Sequence, residues 1–310
     1  MTRSSARPWF LFAMFVRVFS SGNVFAFSSH KPFLRQCGLA TYKYSTTTIR
    51  QTTLADVPSG VLLPDHVRTW LDIDLPEGRC VGVSFSDLPD PTLAVSLAEN
   101  KDHWMHSAYH PKELAYGLQL SDVAATSFWL GRLAMRIALD FPDYPILKDS
   151  HGRPQLDGRI RGSISHKGGC GVALISNHTL AASVGVDLEF TSRPGKRSIA
   201  PRVLTPSERE TLGSIPGVSV EEEILLRFSL KEAIYKAVHP LLSQYVGFQE
   251  AEVVPHADGT ASCTWYLETG PVDNVLKDLR AHWRRLDGQG FFLTSASVQR
   301  ASNKEVKDSI

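Results

Sequence analysis

The stretch Ala182-Ser183-Val184-Gly185-Val186-Asp187-Leu188-Glu189 decides how this chain is read, together with a second segment downstream, Phe228-Ser229-Leu230-Lys231-Glu232-Ala233-Ile234-Tyr235-Lys236-Ala237. The first is β-branched around a single glycine and predicts a strand, whose period of two puts Asp187 and Glu189 on one face. The second belongs to an apolar-periodic helix starting near Val220, in which Leu225, Phe228, Glu232 and Tyr235 share a stripe and Lys236 follows Glu232 by one turn. A charge on the packed side of a helix needs a partner. Mg²⁺ takes near-octahedral oxygen ligands, commonly a few carboxylates with phosphate and water, so Asp187, Glu189 and Glu232 are suitable ligand types. Lys231 and Lys236 would then meet the phosphates. Each motif alone also reads as ordinary surface, a solvated strand edge in one case and in the other an i,i+4 pair of Glu232 with Lys236 worth roughly 0.3–0.5 kcal/mol.

Other segments carry chemistry of the same kind. Gly162-Ser163-Ile164-Ser165-His166 alternates like a short strand, Lys167-Gly168-Gly169-Cys170-Gly171 forms a turn, and Val172-Ala173-Leu174-Ile175 returns. Upstream, Ser121 is a candidate cap for a helix from about Asp122 to Asp140, striped by Val123, Leu130, Leu133, Ile137 and Phe141, with Arg132 and Arg136 on a neighbouring face. Lys148 and Arg153 flank the Asp149-Ser150-His151-Gly152 turn, from which both could reach phosphate or simply be solvated.

Taken jointly, the two acidic motifs resemble the signature of the Sfp-type 4′-phosphopantetheinyl transferases, a Gly-x-Asp-x-Glu strand followed by a Lys-Glu-x-x-x-Lys helix. Pro145-Ile146-Leu147-Lys148, Gly152-Arg153-Pro154, Gly162 to His166, Pro240-Leu241 and Gly247-Phe248 look like the enterobactin-synthase branch, so the similarity spans roughly residues 108 to 255. The resemblance implies an enzyme that moves phosphopantetheine from coenzyme A to a serine of an apo carrier protein and releases adenosine 3′,5′-bisphosphate. It implies Mg²⁺, with Mn²⁺ as a substitute, on Asp187, Glu189 and Glu232. Glu232 would also help deprotonate the serine, and Lys236 and Lys231 would stabilise the transferring phosphate. Arg132 would grip the 3′-phosphate of coenzyme A, and Lys148, Arg153, Ser165 and His166 would contact its phosphates. Arg136 reads as a structural ion-pair residue. Where relatives often carry a basic and an acidic residue, this chain has Ala124, Ala125, Thr126 and Ser127, so one phosphate contact is expected to be missing.

Composition narrows the rest. A chain of 310 residues, 43% hydrophobic, can bury one large or two medium cores. Its net charge of +1 hides an asymmetry: residues 1–55 contain seven Lys or Arg and no acid, which leaves the remainder at −6 and argues against nucleic-acid binding. The four cysteines include no C-x-x-C pair, so neither a zinc ribbon nor a disulfide framework is expected. His103, His106 and His110 have near-helical spacing without supporting ligands and read as a solvated helix edge.

The first 55 residues read as a targeting presequence. Trp9 to Val16 is apolar but too short to span a bilayer, which needs about 20 residues. Val24-Phe25-Ala26 resembles a signal-peptidase site before Phe27, as in bipartite plastid presequences, with a mitochondrial presequence as competitor. A misassigned start codon would leave the protein cytoplasmic.

The expected fold is α+β. Strands are expected at Cys80–Phe85, Thr92–Ser96, Glu252–Val254, Ser262–Leu267 and Phe291–Ala296, and a helix at Val272–Leu286. Thr205 should cap a helix opening at Pro206-Ser207-Glu208. The resemblance adds two similar lobes in a pseudo-dimer: 56–180, then 181–300 carrying the metal motifs, then a tail at 301–310. A monomer without a stable membrane span is expected. A non-catalytic paralogue that holds coenzyme A or a carrier protein is the main alternative.

Overall fold

The computed structural model describes residues 63, 67–85, 103–150, 152–176, 181–242, 244–267 and 278–299. Among these, two antiparallel sheets form. The first contains β1 (Val67–Leu75), β2 (Gly78–Phe85), β3 (Arg161–Lys167) and β4 (Cys170–Ser176) in the order β1-β2-β4-β3. The second contains β5 (Ala181–Phe190), β6 (Ala251–Pro255), β7 (Thr260–Trp265), β8 (Leu279–Leu286) and β9 (Phe291–Gln299) in the order β5-β9-β8-β7-β6. The helices are α1 (His103–Ala108), α2 (Pro111–Gly117), α3 (Asp122–Ala138), α4 (Ala200–Val203), α5 (Pro206–Glu210) and α6 (Val220–Leu242). The α+β class is as expected.

Strand alternation builds four layers. Val81 and Val83 of β2 and Ala173 of β4 join Phe128, Leu130, Leu133 and Met135 of α3 in one core. Their neighbours Cys80, Val172 and Leu174 turn the other way and meet Val184, Val186 and Leu188 of β5 with Phe291 and Leu293 of β9. On its far face the second sheet offers Val253, Phe292, Ala296 and Val298 to Leu226, Leu230, Ile234 and Ala237 of α6. The layers are therefore helix, sheet, sheet, helix. Each fully buried Val, Leu, Ile or Phe contributes about 1.5–3 kcal/mol of transfer free energy.

The close approach of α6 to β5 depends on Gly185, where an added Cβ would lie 1.9 Å from the Ala233 carbonyl oxygen. With Gly185 on the helix side, Asp187 and Glu189 share that side, and Val184, Val186 and Leu188 fill the intersheet core.

The edges of the two sheets meet where β3 runs beside β5, and serine side chains carry that junction. Ser163 Oγ accepts from the Val186 amide at 3.1 Å and Ser165 Oγ from the Leu188 amide at 3.3 Å. The Arg161 guanidinium donates to the Ala182 carbonyl at 2.9 Å. Elsewhere Glu77, buried in the β1–β2 turn, pairs with His282 at 2.5 Å and accepts from Ser295 at 2.7 Å, tying the first sheet to β8 and β9.

Several expectations change. Residues Leu279–Leu286 form β8 rather than the second half of a helix. β1 was absent from the sequence reading. Ser121 precedes α3 but makes no capping hydrogen bond, whereas Thr205 accepts from the Glu208 amide at 3.1 Å within a full capping box. His110 is the N-cap of α2, its Nδ1 accepting from the Lys112 amide at 3.1 Å, a structural use of that histidine. The expected strand at 92–96, the presequence, the tail and residues 272–277 lie outside the described residues. No described helix is long and apolar enough to cross a membrane.

Candidate active site

Asp187 is the centre of the site. Its Oδ1 accepts from Ser165 Oγ at 2.8 Å and from Lys236 Nζ at 2.8 Å, and its Oδ2 accepts from Ser229 Oγ at 2.9 Å. Three elements meet here: β3 supplies Ser165, β5 the carboxylate, and α6 both Ser229 and Lys236. Three donors, one of them an ammonium, thus converge on this one carboxylate. Lys236 also donates to the Val186 carbonyl at 3.0 Å, which pins it to β5.

Glu189, two residues along and almost fully buried, pairs with Lys167 at 2.8 Å and accepts from the Phe190 amide at 2.8 Å. Desolvation nevertheless raises its pKa against the pull of Lys167, and Asp187 adds to the rise. Glu232 on α6 feels both strand acids. Desolvation is the largest cause, and Asp187 and Glu189 add to it, so despite Lys236 its carboxyl is pushed up to about 7. Three acids thus share one electrostatic neighbourhood, with Lys236 and Lys167 as the resident counter-charges.

The three carboxylates are the hard-oxygen donor set that a divalent cation such as Mg²⁺ prefers, and their crowding is the condition a cation would relieve. In that chemical sense they fit one. Among the described residues, no three His, Cys, Asp or Glu groups are gathered into a ready coordination sphere. The lysines on Asp187 and Glu189 hold the acids in their present arrangement.

His166, next to the last residue of β3, is exposed. Desolvation, then Lys236 and Lys148, push its imidazole down to about 4, so it is neutral near pH 7. Ser165, beside it, is buried and spends its hydroxyl on Asp187. The sequence had assigned it to phosphate; the geometry makes it a holder of the carboxylate. Arg132 is only 3% exposed. Its Nε donates to the Ile146 carbonyl, its guanidinium lies 4.8 Å from the Phe128 ring centroid, and its Nη2 is buried without a partner among the described residues. Desolvation lowers its pKa to about 10. Lys148 is lowered by desolvation and by the nearby Arg132 charge. Two cations near one orphaned donor describe a place for an anion.

Besides Ser165, two assignments need correction. Lys231, expected at the phosphates, turns to the other side of α6 and is buried. Its ammonium donates to Glu208 at 2.7 Å, to the Val203 carbonyl at 2.9 Å and to the Phe248 carbonyl at 2.6 Å. Adjacent helical residues point about 100° apart, and all three Lys231 donors are spent on that other side. The pair of Lys231 with Glu208 is linked through Thr211 and Val253 to a second buried pair, Glu223 with Arg227 at 2.6 Å. Arg153 is held by Asp149 at 2.6 Å in an i,i+4 pair. Arg136 is the structural residue expected, pairing with Glu113 in the core at 3.3 Å. Ser229 and Lys167 were missed, although Ser229 lies seven residues before Lys236, two helical turns on the same face.

Comparison with known proteins follows this geometry. Residues 183–287 match the model of the 4′-phosphopantetheinyl transferase superfamily, and residues 125–176 match the 4′-phosphopantetheinyl transferase N-terminal domain. The chain is 29% identical over 230 residues to the 4′-phosphopantetheinyl transferase Svp of Streptomyces mobaraensis, covering 72% of this chain and 87% of that one. It is 31% identical over 162 residues to PptT of Mycobacterium tuberculosis, also a 4′-phosphopantetheinyl transferase, covering 49% and 70%. A holo-[acyl-carrier-protein] synthase of Lactobacillus johnsonii is 46% identical over 76 residues, covering 23% and 64%. The span 183–287 holds most of β5, all of α6 and the acids Asp187, Glu189 and Glu232, and this chain belongs to the 4′-phosphopantetheinyl transferase superfamily.

Proposed function

We propose that the protein transfers 4′-phosphopantetheine from coenzyme A to a serine of an apo carrier protein, releasing adenosine 3′,5′-bisphosphate. The observation that carries this reading is the junction of β3, β5 and α6, where Lys236 pairs with Asp187, and Glu189 and Glu232 lie within the same electrostatic neighbourhood. The serine Oγ attacks the phosphorus that bears the pantetheine. A new P–O bond forms, the bond to the bridging oxygen breaks, and the bisphosphate departs with that oxygen. Glu232 is the carboxylate that would take the serine proton. Lys236 stabilises charge on the transferring group, and Arg132 with Lys148 and neutral His166 receives the nucleotide's phosphates.

Mg²⁺, or Mn²⁺ in its place, would be held by Asp187, Glu189 and Glu232 and would supply positive charge to the pyrophosphate. The test is to incubate the protein with coenzyme A, Mg²⁺ and an apo acyl carrier protein and weigh the carrier. A gain of one phosphopantetheine is expected, and an unchanged mass across fatty-acid, polyketide and peptide carriers would refute the reading. Coenzyme A binding without transfer would identify a non-catalytic paralogue.

The segments Pro145–Lys148 and Gly162–His166 support placement in the enterobactin-synthase branch. The acid-free, basic first 55 residues support import into a plastid or mitochondrion, where the organelle's fatty-acid carrier would be the substrate. Tagging the full chain beside a version starting at Leu54 tests that: both forms staying in the cytoplasm would remove it.

A further inference from the structure

Asp187 offers about four lone-pair positions, and three are filled by Ser165, Lys236 and Ser229. Which one stays open depends on the single donor at Oδ2, the hydroxyl of Ser229. That hydroxyl is itself fixed. Ser229 is fully buried in α6, and Thr294 of β9, also fully buried, donates from Oγ1 to the Ser229 carbonyl at 2.9 Å while its oxygen lies 2.9 Å from Ser229 Oγ.

Proton inventory gives the chain a direction. Ser229 Oγ donates its one proton to Asp187 Oδ2 at 2.9 Å, so toward Thr294 it can only accept. Thr294 then shares its proton between the Ser229 carbonyl and Oγ. The chain runs from Thr294 to Ser229 to Asp187, its first two members fully buried.

We propose that Ser229, set by Thr294, is a positioning residue: it fixes the rotation of the Asp187 carboxylate and keeps one lone pair of Oδ2 open for a divalent cation. Without it, Oδ1 stays anchored by Ser165 and Lys236, but Oδ2 is free to turn toward the Lys236 ammonium, which then competes with the cation. The inference rests on the transferase reading and its metal, and concerns a residue outside the ligand set.

The experiment compares Mn²⁺ binding, read by electron paramagnetic resonance, in the full-length protein and its Ser229→Ala, Ser229→Thr and Thr294→Val variants, with coenzyme A present and no carrier. Supporting groups of this kind govern metal affinity by about 10- to 100-fold, so Ser229→Ala should weaken Mn²⁺ binding by at least about tenfold. Thr294→Val should weaken it less, and Ser229→Thr, which keeps the hydroxyl, should restore it. In turnover, Ser229→Ala should raise the Mg²⁺ concentration for half-maximal rate while KM for coenzyme A at saturating Mg²⁺ is unchanged. A lower melting temperature with native Mn²⁺ affinity would show a merely structural hydroxyl and overturn the inference. A native protein that transfers but binds no Mn²⁺ would overturn it too. A native protein that fails to modify any carrier is a separate outcome, removing the proposed function itself.

Discussion

Glu232 and Lys231 are neighbours in sequence with opposite fates, and substitution should separate them. Glu232→Gln keeps shape and removes the base and a cation ligand, so kcat should fall by about 10²–10⁴-fold with the fold intact by circular dichroism. Lys231→Met strands Glu208 in the core, and breaking a buried pair costs about 3–5 kcal/mol, so chemical denaturation should show the loss. A Lys231→Met protein of native stability and low kcat would return Lys231 to the phosphates. The pH dependence has a definite sign. Because the folded Glu232 pKa is raised from 4.5 to about 7, the folded state holds the extra proton in that window, and stability falls as pH rises through it. His166, lowered from 6.5 to about 4, acts in the opposite sense below 6.5. Above pH 6.5 the His166 contribution is complete, and the difference between the native protein and Glu232→Gln reports Glu232. In metal-free buffer Glu232→Gln should melt higher than the native protein at pH 8, and Mg²⁺ should raise the native melting temperature more than the variant's.

At the scale of elements, Gly185 decides whether α6 can reach the strand it serves. Gly185→Ala places a methyl against the Ala233 carbonyl, a backbone atom that cannot turn aside, and overpacking of this kind costs about 1–3 kcal/mol or more. Both stability and transfer should drop, and a variant with native kcat would show that helix and strand need not touch. The strand, the helix and the Thr205 cap were legible because each is written in local pattern: alternation, a 3.6-residue stripe and a Thr-x-x-Glu box. β8 was not. Val272, Leu276, Leu279 and Trp283 fall at helical spacing, and this masks the period of two that buries Ala281 and Trp283. The partner of Lys231, Glu208 on α5, lies 23 residues away in sequence, beyond the reach of local pattern. Ser229 was hidden for another reason, since a hydroxyl carries no charge to draw the eye.

For the molecule as a whole, the four layers matter less than the line where the sheets touch. Along it, β5 is bound on one side to β9 by an antiparallel ladder, in unbroken register from Ser183 to Phe190, and on the other to β3 by Ser163 and Ser165 side chains. Ser163→Ala and Ser165→Ala together should therefore weaken the joint more than either lobe, lowering the unfolding midpoint and, through Asp187, the transfer rate. Such a boundary also has a signature in time. Amides tethered to a side-chain oxygen are released by one rotamer change, whereas amides in a ladder wait for a strand to peel away. In deuterated solvent the Val186 and Leu188 amides should exchange ahead of those that pair β5 with β9. The molecule would then breathe first along its catalytic seam, opening room for a bulky protein substrate without unfolding either half.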